Sequence, residues 1–542
     1  MWQQNYTPIA DSLAASSLVA AIPIFVLLYL LGVARKPAWM AALSGLAAAA
    51  VVAVAAYGMP LDKLFGAVAY GAAFGLFPIG WVVFVAILLY RLTVETGKFE
   101  VVKDSVGSLT DDRRLQALLI AFAFGAFIEG AAGFGTPVAV AAAMLTGLGF
   151  SPFYAASICM LANTAPVAFG SIGTPVLTLA GITQLPLAQL SAAVGRICAP
   201  VSLIVPAYLI VVMGGWKALQ GVMPAAILCG VSFAGTQFFV SNFVGPQLTD
   251  ILSSLASIGA LVALFRVWKP RDSFQLAGHG PTPKHDRHHT AGELLLAWTP
   301  YLLLVLLVLL WSWPVMQAKL NTVSVKFPWP GLHNQIARMP PVTKAVAPYA
   351  AEFTFNWLSA TGTVCLIATI LSALVLRMKL SSFARVFANT SKQLAIPELT
   401  IASVMALAYL MNYSGATSTL GLAFAATGAT FPFFSSLLGW LGVFLTGSDT
   451  SANALFGNLQ VVTAGKLGLN PILMAASNSS GGVMGKMISL SSIAVAAAAT
   501  GMTAADSAKL FRSNMKHSVI LASVLGLVTV FYAYVMPAWA PQ

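Results

Sequence analysis

GAFIEGAAGFGTPVAVAAAMLTGLGF, residues 125–150, is apolar enough for a membrane helix and too broken to be a continuous one. Glu129 stands between Ala126-Phe127-Ile128 and Gly130-Ala131-Ala132, and Gly133, Gly135 and Pro137 follow closely. Inside a bilayer, an interrupted helix frees backbone N–H and C=O groups. These are tolerated only where protein or a water-filled cavity satisfies them. N–H groups freed at a half-helix N-terminus favour an anion. Close helix packing through small residues explains the same composition and stays open as the alternative. The glycine spacing is no dinucleotide fingerprint, since no strand precedes it and no βαβ unit fits here.

The surrounding sequence says which solvent this stretch meets. Of 542 residues, 58% are hydrophobic and 8% charged, against about a quarter charged in a soluble domain. Most of the surface must face lipid, where roughly 20 apolar residues make one span. Clear spans run over 12–33, 38–57, 294–315, 353–375 and 518–534, and 61–95 is interrupted by Gly75 and Pro78. Two longer tracts, to about 268 and over 394–505, are broken repeatedly by Gly and Pro. The prediction is an all-α polytopic membrane protein with about 12 to 14 membrane segments, some broken or re-entrant.

The net charge of +12 is concentrated in loops: Arg35-Lys36, 97–114, 269–290, 377–392 and 509–516. Short basic loops belong in the cytoplasm. That assigns 269–290 to the cytoplasm, 316–351 to the periplasm and both termini to the periplasmic side, although 316–351 also carries basic residues. The charge thus reads as topology rather than as a nucleic-acid partner. The opening MWQQNYTPIADS has no Lys or Arg and no cleavage site, so the first span is expected to stay in the membrane. Cys159, Cys198, Cys229 and Cys365 lie in apolar segments outside any C-x-x-C pair, which suggests neither disulfide nor metal. His279, His285, His288 and His289 sit in the polar 269–290 loop and read as solvated side chains. No phosphate-binding loop is present, no cofactor is implied, and no nucleophile–base pair points to an enzyme.

Two further polar stretches lie at membrane depth: Thr446-Gly-Ser-Asp-Thr-Ser-Ala-Asn453, and Asn478-Ser479 through Lys486. On a lipid face they would be expensive, so they should line a cavity or a tight junction. The run 148–152, LGFSP, matches 467–471, LGLNP, and Asn163-Thr164 matches Asn478-Ser479. The flanking charges enter the two copies from opposite sides of the membrane. That suggests a first repeat over 61–215 and an inverted second over 385–537, with chance similarity as the alternative. Gly133, Thr136, Asn163, Thr164, Asn453, Asn478 and Ser479 are candidate substrate donors. Arg196 or Lys486 could pair a substrate carboxylate or simply balance nearby acids.

Glu129 and Asp449 flank the breaks and are the candidate proton sites. Asp449 has Ser448 and Thr450 as neighbours to hold its anion, so Glu129 is the better proton carrier. Glu95, Glu398 and Lys466 lie near span ends and read as interfacial.

Several runs together are more specific than any one of these motifs. Residues 125–150, ANTAPVAFGSIGTP (162–175), LMNYSGATSTLG (410–421), FLTGSDTSANALFGNLQ (444–460) and ASNSSGGVMGKMISLSSI (476–493) resemble the bacterial L-lactate permease family. MWQQNYTP resembles its N-terminus as well. The resemblance implies a proton symporter for L-lactate, and also D-lactate or glycolate, in the bacterial inner membrane. It also implies two inverted repeats with re-entrant hairpins. A carrier of the same architecture for another small organic anion, sodium-coupled or not, is the alternative. A channel is separated from either by accumulation against a gradient.

Overall fold

The computed structural model describes residues 1–133, 135–272, 274 and 289–541. The expectations for His279, His285 and His288 therefore lie outside the described residues. Among those described, 11 helices are long and apolar enough to cross a membrane, or up to 12 with one bent pair. Leu187–Phe243, at 57 residues, leaves helical geometry at Gly215 and Val222 and so holds two passes. Leu61–Glu95 unwinds near Phe77 (φ −140°, ψ 124°), where Pro78 has no N–H to continue the helical ladder.

Leu13–Gly32, Ala38–Ala55 and Leu61–Glu95 alternate in direction, so the 97–112 segment lies at the end of the bundle opposite the N-terminus. At the N-terminal end the fold is not purely helical. Trp2–Gln3 pairs with Ile336–Ala337, and Val325–Pro328 pairs antiparallel with Glu352–Phe355. Short strands with open edges form there because water satisfies the backbone groups that lipid would leave unpaired.

Two helical hairpins enter the bundle from opposite ends. Arg113–Ala131 and Thr136–Gly147 form the first, reversing at Gly133 (φ 62°) and Gly135 (φ 80°). Its open end, at Gly147 and Leu148, lies beside Glu100, Lys103 and Asp104. Phe431–Thr446 and Asp449–Leu467 form the second, reversing at Gly447 (φ 72°). Its open end, near Lys466, lies beside Gln4, Tyr6 and Met339.

A broken helix accompanies each hairpin. Pro152–Ala162 and Val167–Thr183 meet at 65°. Pro471–Lys486 is followed, after a turn at 487–489, by Leu490–Thr500. Each begins with proline in its first turn behind a side-chain cap, Ser151 in one and Asn470 in the other. Proline is preorganised for that place and needs no N–H there, so the LGFSP and LGLNP runs are equivalent helix starts. The match does not extend to the asparagines. Asn163 caps the end of Pro152–Ala162, whereas Asn478 lies within Pro471–Lys486.

Candidate functional site

The hairpin tips and the helix breaks converge on one cavity of about 220 Å³. The first hairpin contributes Glu129 and Gly135, and the first broken helix contributes Val167, Gly170, Ser171 and Pro175. Thr446, Gly447, Ser448, Asp449 and Thr450 come from the second tip; Lys486, Ser491, Ser492 and Val495 come from the second broken helix. At about 30 Å³ per water, the space holds roughly seven waters, which suits a small solute.

Local sequence explains why polar groups collect here. Gly135, Ser448 and Ser489 are the N-caps of Thr136–Gly147, Asp449–Leu467 and Leu490–Thr500. The Ser448 and Ser489 side chains each accept one N–H, from Ser451 and Ser492. The other first-turn amides have no intrahelical partner, so three positive helix ends border the cavity. Ser171, Ile172 and Gly173 all have left-handed φ (46°, 57° and 75°). For Ser and Ile that conformation is strained, and strain of this kind collects at functional sites. The Ser171 hydroxyl donates to the Ala132 carbonyl at 3.0 Å, binding the first tip to the first break.

Among the described lining residues Lys486 is the one cation, and it is 9% exposed. It donates to the Gly447 carbonyl at 2.8 Å and lies close enough to act on both Glu129 and Asp449. Glu129, 4% exposed, has the Asn163 side chain and Lys486 beside it. Asp449 is held from behind, where Ser479 donates at 2.7 Å and Asn453 at 3.4 Å. Asn453 also donates to the Pro175 carbonyl at 3.2 Å, crossing from the second hairpin to the first broken helix. Asn478 donates to Asn453 at 3.0 Å, and Gln460 donates to Asn478 at 3.1 Å.

The sequence model of the family described as L-lactate permease matches residues 16–536. The chain belongs to this family. It is 45% identical to the glycolate permease GlcA of Escherichia coli K12 over 98% of both chains. It is 44% identical to the L-lactate permeases of E. coli K12 and Bacillus subtilis 168 over 100% of each. Together with its candidate spans, this makes the chain a multi-pass membrane transporter.

The predicted site residues of this family member divide by position. Glu129, Asp449 and Lys486 line the cavity. Asn453, Asn478 and Ser479 form the buried ladder behind Asp449 rather than the wall. Gly133 packs on Ser171, where a Cβ would overlap the Ser171 hydroxyl. Thr136 opens the second arm of the first hairpin, and the Thr164 hydroxyl is turned back to the Leu161 carbonyl.

Arg196 does not belong to the site. It binds Asn242 at 2.8 Å and the Trp539 carbonyl, and its guanidinium stacks over the Trp539 ring 5.3 Å from the centroid. That arrangement ties the C-terminus down instead of facing a substrate. Glu398 is not at an open interface either, because its carboxylate lies against Gly80 at the unwound part of Leu61–Glu95. The donors that hold Asp449 are Ser479 and Asn453, not Ser448 and Thr450. Sequence reading missed Ser171, Ser491 and Ser492 on the cavity wall, and it missed Asp250. The signal for Asp250 was a Gly245-Pro246 interruption of an apolar tract with an acid just beyond it, the pattern that drew attention to Glu129.

Proposed function

We propose that this chain carries L-lactate, and also D-lactate or glycolate, into the bacterial cytoplasm together with a proton, and is a permease rather than an enzyme. The observation that carries the reading is Lys486 at the meeting point of three helix N-termini, between two buried carboxylates. A monocarboxylate binds where positive helix ends and an ammonium face the same small space. The hydroxyls of Ser171, Ser491 and Ser492 supply partners for the substrate 2-hydroxyl. Names of the relatives point to the same cargo, since L-lactate and glycolate differ by one methyl group.

In this scheme Glu129 carries the proton. Adding a carboxylate to a site that already holds Glu129, Asp449 and Lys486 leaves excess negative charge, and a proton on Glu129 offsets it. Asp449, fixed by Ser479 and Asn453, orients the second hairpin tip. Regions 61–215 and 385–537 act as inverted repeats, a reading supported by hairpins that enter from opposite ends. A site between two such halves is opened alternately to each side by rocking one against the other.

Uptake of labelled lactate into proteoliposomes tests this. An inward-acid pH gradient should drive accumulation, and a protonophore should abolish it. Glu129→Gln should lose gradient-driven accumulation while still exchanging lactate across the membrane. Accumulation that needs sodium and ignores the protonophore would overturn the proton reading and favour a sodium-coupled carrier.

A further inference from the structure

Asp250 is in the first turn of Thr249–Val267, deep in the bundle, and is 1% exposed. Neither carboxylate oxygen has a hydrogen-bond partner among the described residues. Nearby hydroxyls on its own helix are committed elsewhere: Thr249 donates to the Gly245 carbonyl, Ser253 to Thr249 and Ser254 to Ile251. An isolated buried charge is far more costly than an unpaired neutral group. A helix N-terminus offsets only part of that cost.

The position of Asp250 relative to Glu129 gives this a consequence. A Cβ placed on Gly130 would come 2.7 Å from the Asp250 Cβ, so only glycine lets the first hairpin approach so closely. The residue preceding that glycine is Glu129, whose carboxylate lies close enough for the two acids to act on each other. Among the described residues, Cys198 on Leu187–Phe243 is the other titratable group facing Asp250, and it also lies within electrostatic reach of Asp449. Lys486 is on the cavity side, acting on Glu129 and Asp449.

We propose that Asp250 is a second proton-binding residue of the transporter, exchanging a proton with Glu129 from behind the first hairpin tip. This rests on the proton-symport reading above. The step is a simple transfer: the Asp250 O–H bond breaks as a proton passes to the Glu129 carboxylate, directly or through one water. Asp250 is left as carboxylate and is reprotonated from water when the hairpin moves. Gly130 is the contact that makes the transfer depend on conformation, because separating Arg113–Ala131 from Thr249–Val267 separates the two acids.

The test uses the full chain in proteoliposomes, with wild type, Asp250→Asn and Asp250→Glu. Two quantities are measured: accumulation under an inward-acid gradient, and lactate exchange at equal pH across a range of pH. For Asp250→Asn the ratio of accumulation to exchange should fall about tenfold, within the ordinary range of coupling free energies. Asp250→Glu should recover accumulation with a displaced pH profile. If Asp250→Asn keeps the wild-type ratio and pH profile while wild type is proton-driven, the Asp250 assignment is wrong and the symport reading survives. If wild type itself ignores the pH gradient, the symport reading fails first. If Asp250→Asn does not reach the membrane folded, Asp250→Glu decides: a displaced pH profile supports the assignment and an unchanged one overturns it.

Discussion

Lys486 donates to one carbonyl, faces two acids and sits at the end of Pro471–Lys486. A cation is favourable at a helix C-terminus, so part of its attraction to the cavity precedes any substrate. Removing one partner of a buried hydrogen-bonded charge pair costs about 2–5 kcal/mol. Lys486→Gln should therefore raise the lactate KM by roughly thirtyfold or more, read from exchange kinetics in proteoliposomes. Lys486→Arg should recover only part of the loss, because a planar guanidinium cannot take the place of a compact ammonium in so small a space. A KM unchanged in Lys486→Gln would remove Lys486 from substrate recognition. Its partner on the first half was legible as a residue but not as a pair. Glu129 stood out as an acid in an apolar run, yet nothing in the spacing of Glu129 and Lys486 says that they meet.

At the scale of elements, the second hairpin is held against the second broken helix by close packing. Phe431–Thr446 and Pro471–Lys486 touch through Gly439, Gly481 and Gly485, where a Cβ would overlap the carbonyl oxygens of Asn478, Ser436 and Trp440. Small residues at such spacing let membrane helices approach and exchange dispersion contacts that lipid cannot supply. One helix thus carries both features of the Gly-rich polar runs: Gly481 packs while Lys486 faces the cavity. Gly481→Ala should lower the thermal midpoint in detergent, the cost of such overpacking being about 1–3 kcal/mol. Gly465→Ala is the control, since a Cβ there meets nothing within 4 Å. Equal midpoints for the two variants would show that this contact is not what holds the hairpin against Pro471–Lys486.

Across the whole molecule, both termini lie at the same end. The N-terminal strand pairs with Ile336–Ala337, and the Pro541 carbonyl accepts from Asn470 at 2.8 Å. Basic residues gather at the other end, and the orientation expected from the positive-inside rule puts that end in the cytoplasm. Cys159, Cys198, Cys229 and Cys365 are all buried, so single introduced thiols can report sidedness. Asn5→Cys and Met536→Cys should react with a membrane-impermeant maleimide in intact cells, and Ser108→Cys only after permeabilisation. The reverse pattern would invert the orientation, and labelling of only one terminus would break the shared-end arrangement.

Composition alone determined that lipid is the solvent and that the chain is helical, because hydrophobicity and backbone satisfaction act on every residue independently of its neighbours in space. Gly133, Gly135, Gly447 and the Pro-led helix starts marked the breaks for a similar reason: φ preference and the missing proline N–H are local properties. Only the tertiary structure decided what each break faces. Asn163 and Asn478 look alike in sequence, yet one caps a helix beside Glu129 and the other braces Asn453. Arg196 and Lys486 were equivalent as cations until the C-terminus claimed the first and the cavity the second. Asp250 acquires meaning only from Gly130, remote in the chain and in contact across the bundle. Charge pairing and burial depend on distance in space, and sequence separation carries no record of that distance until the hairpins close.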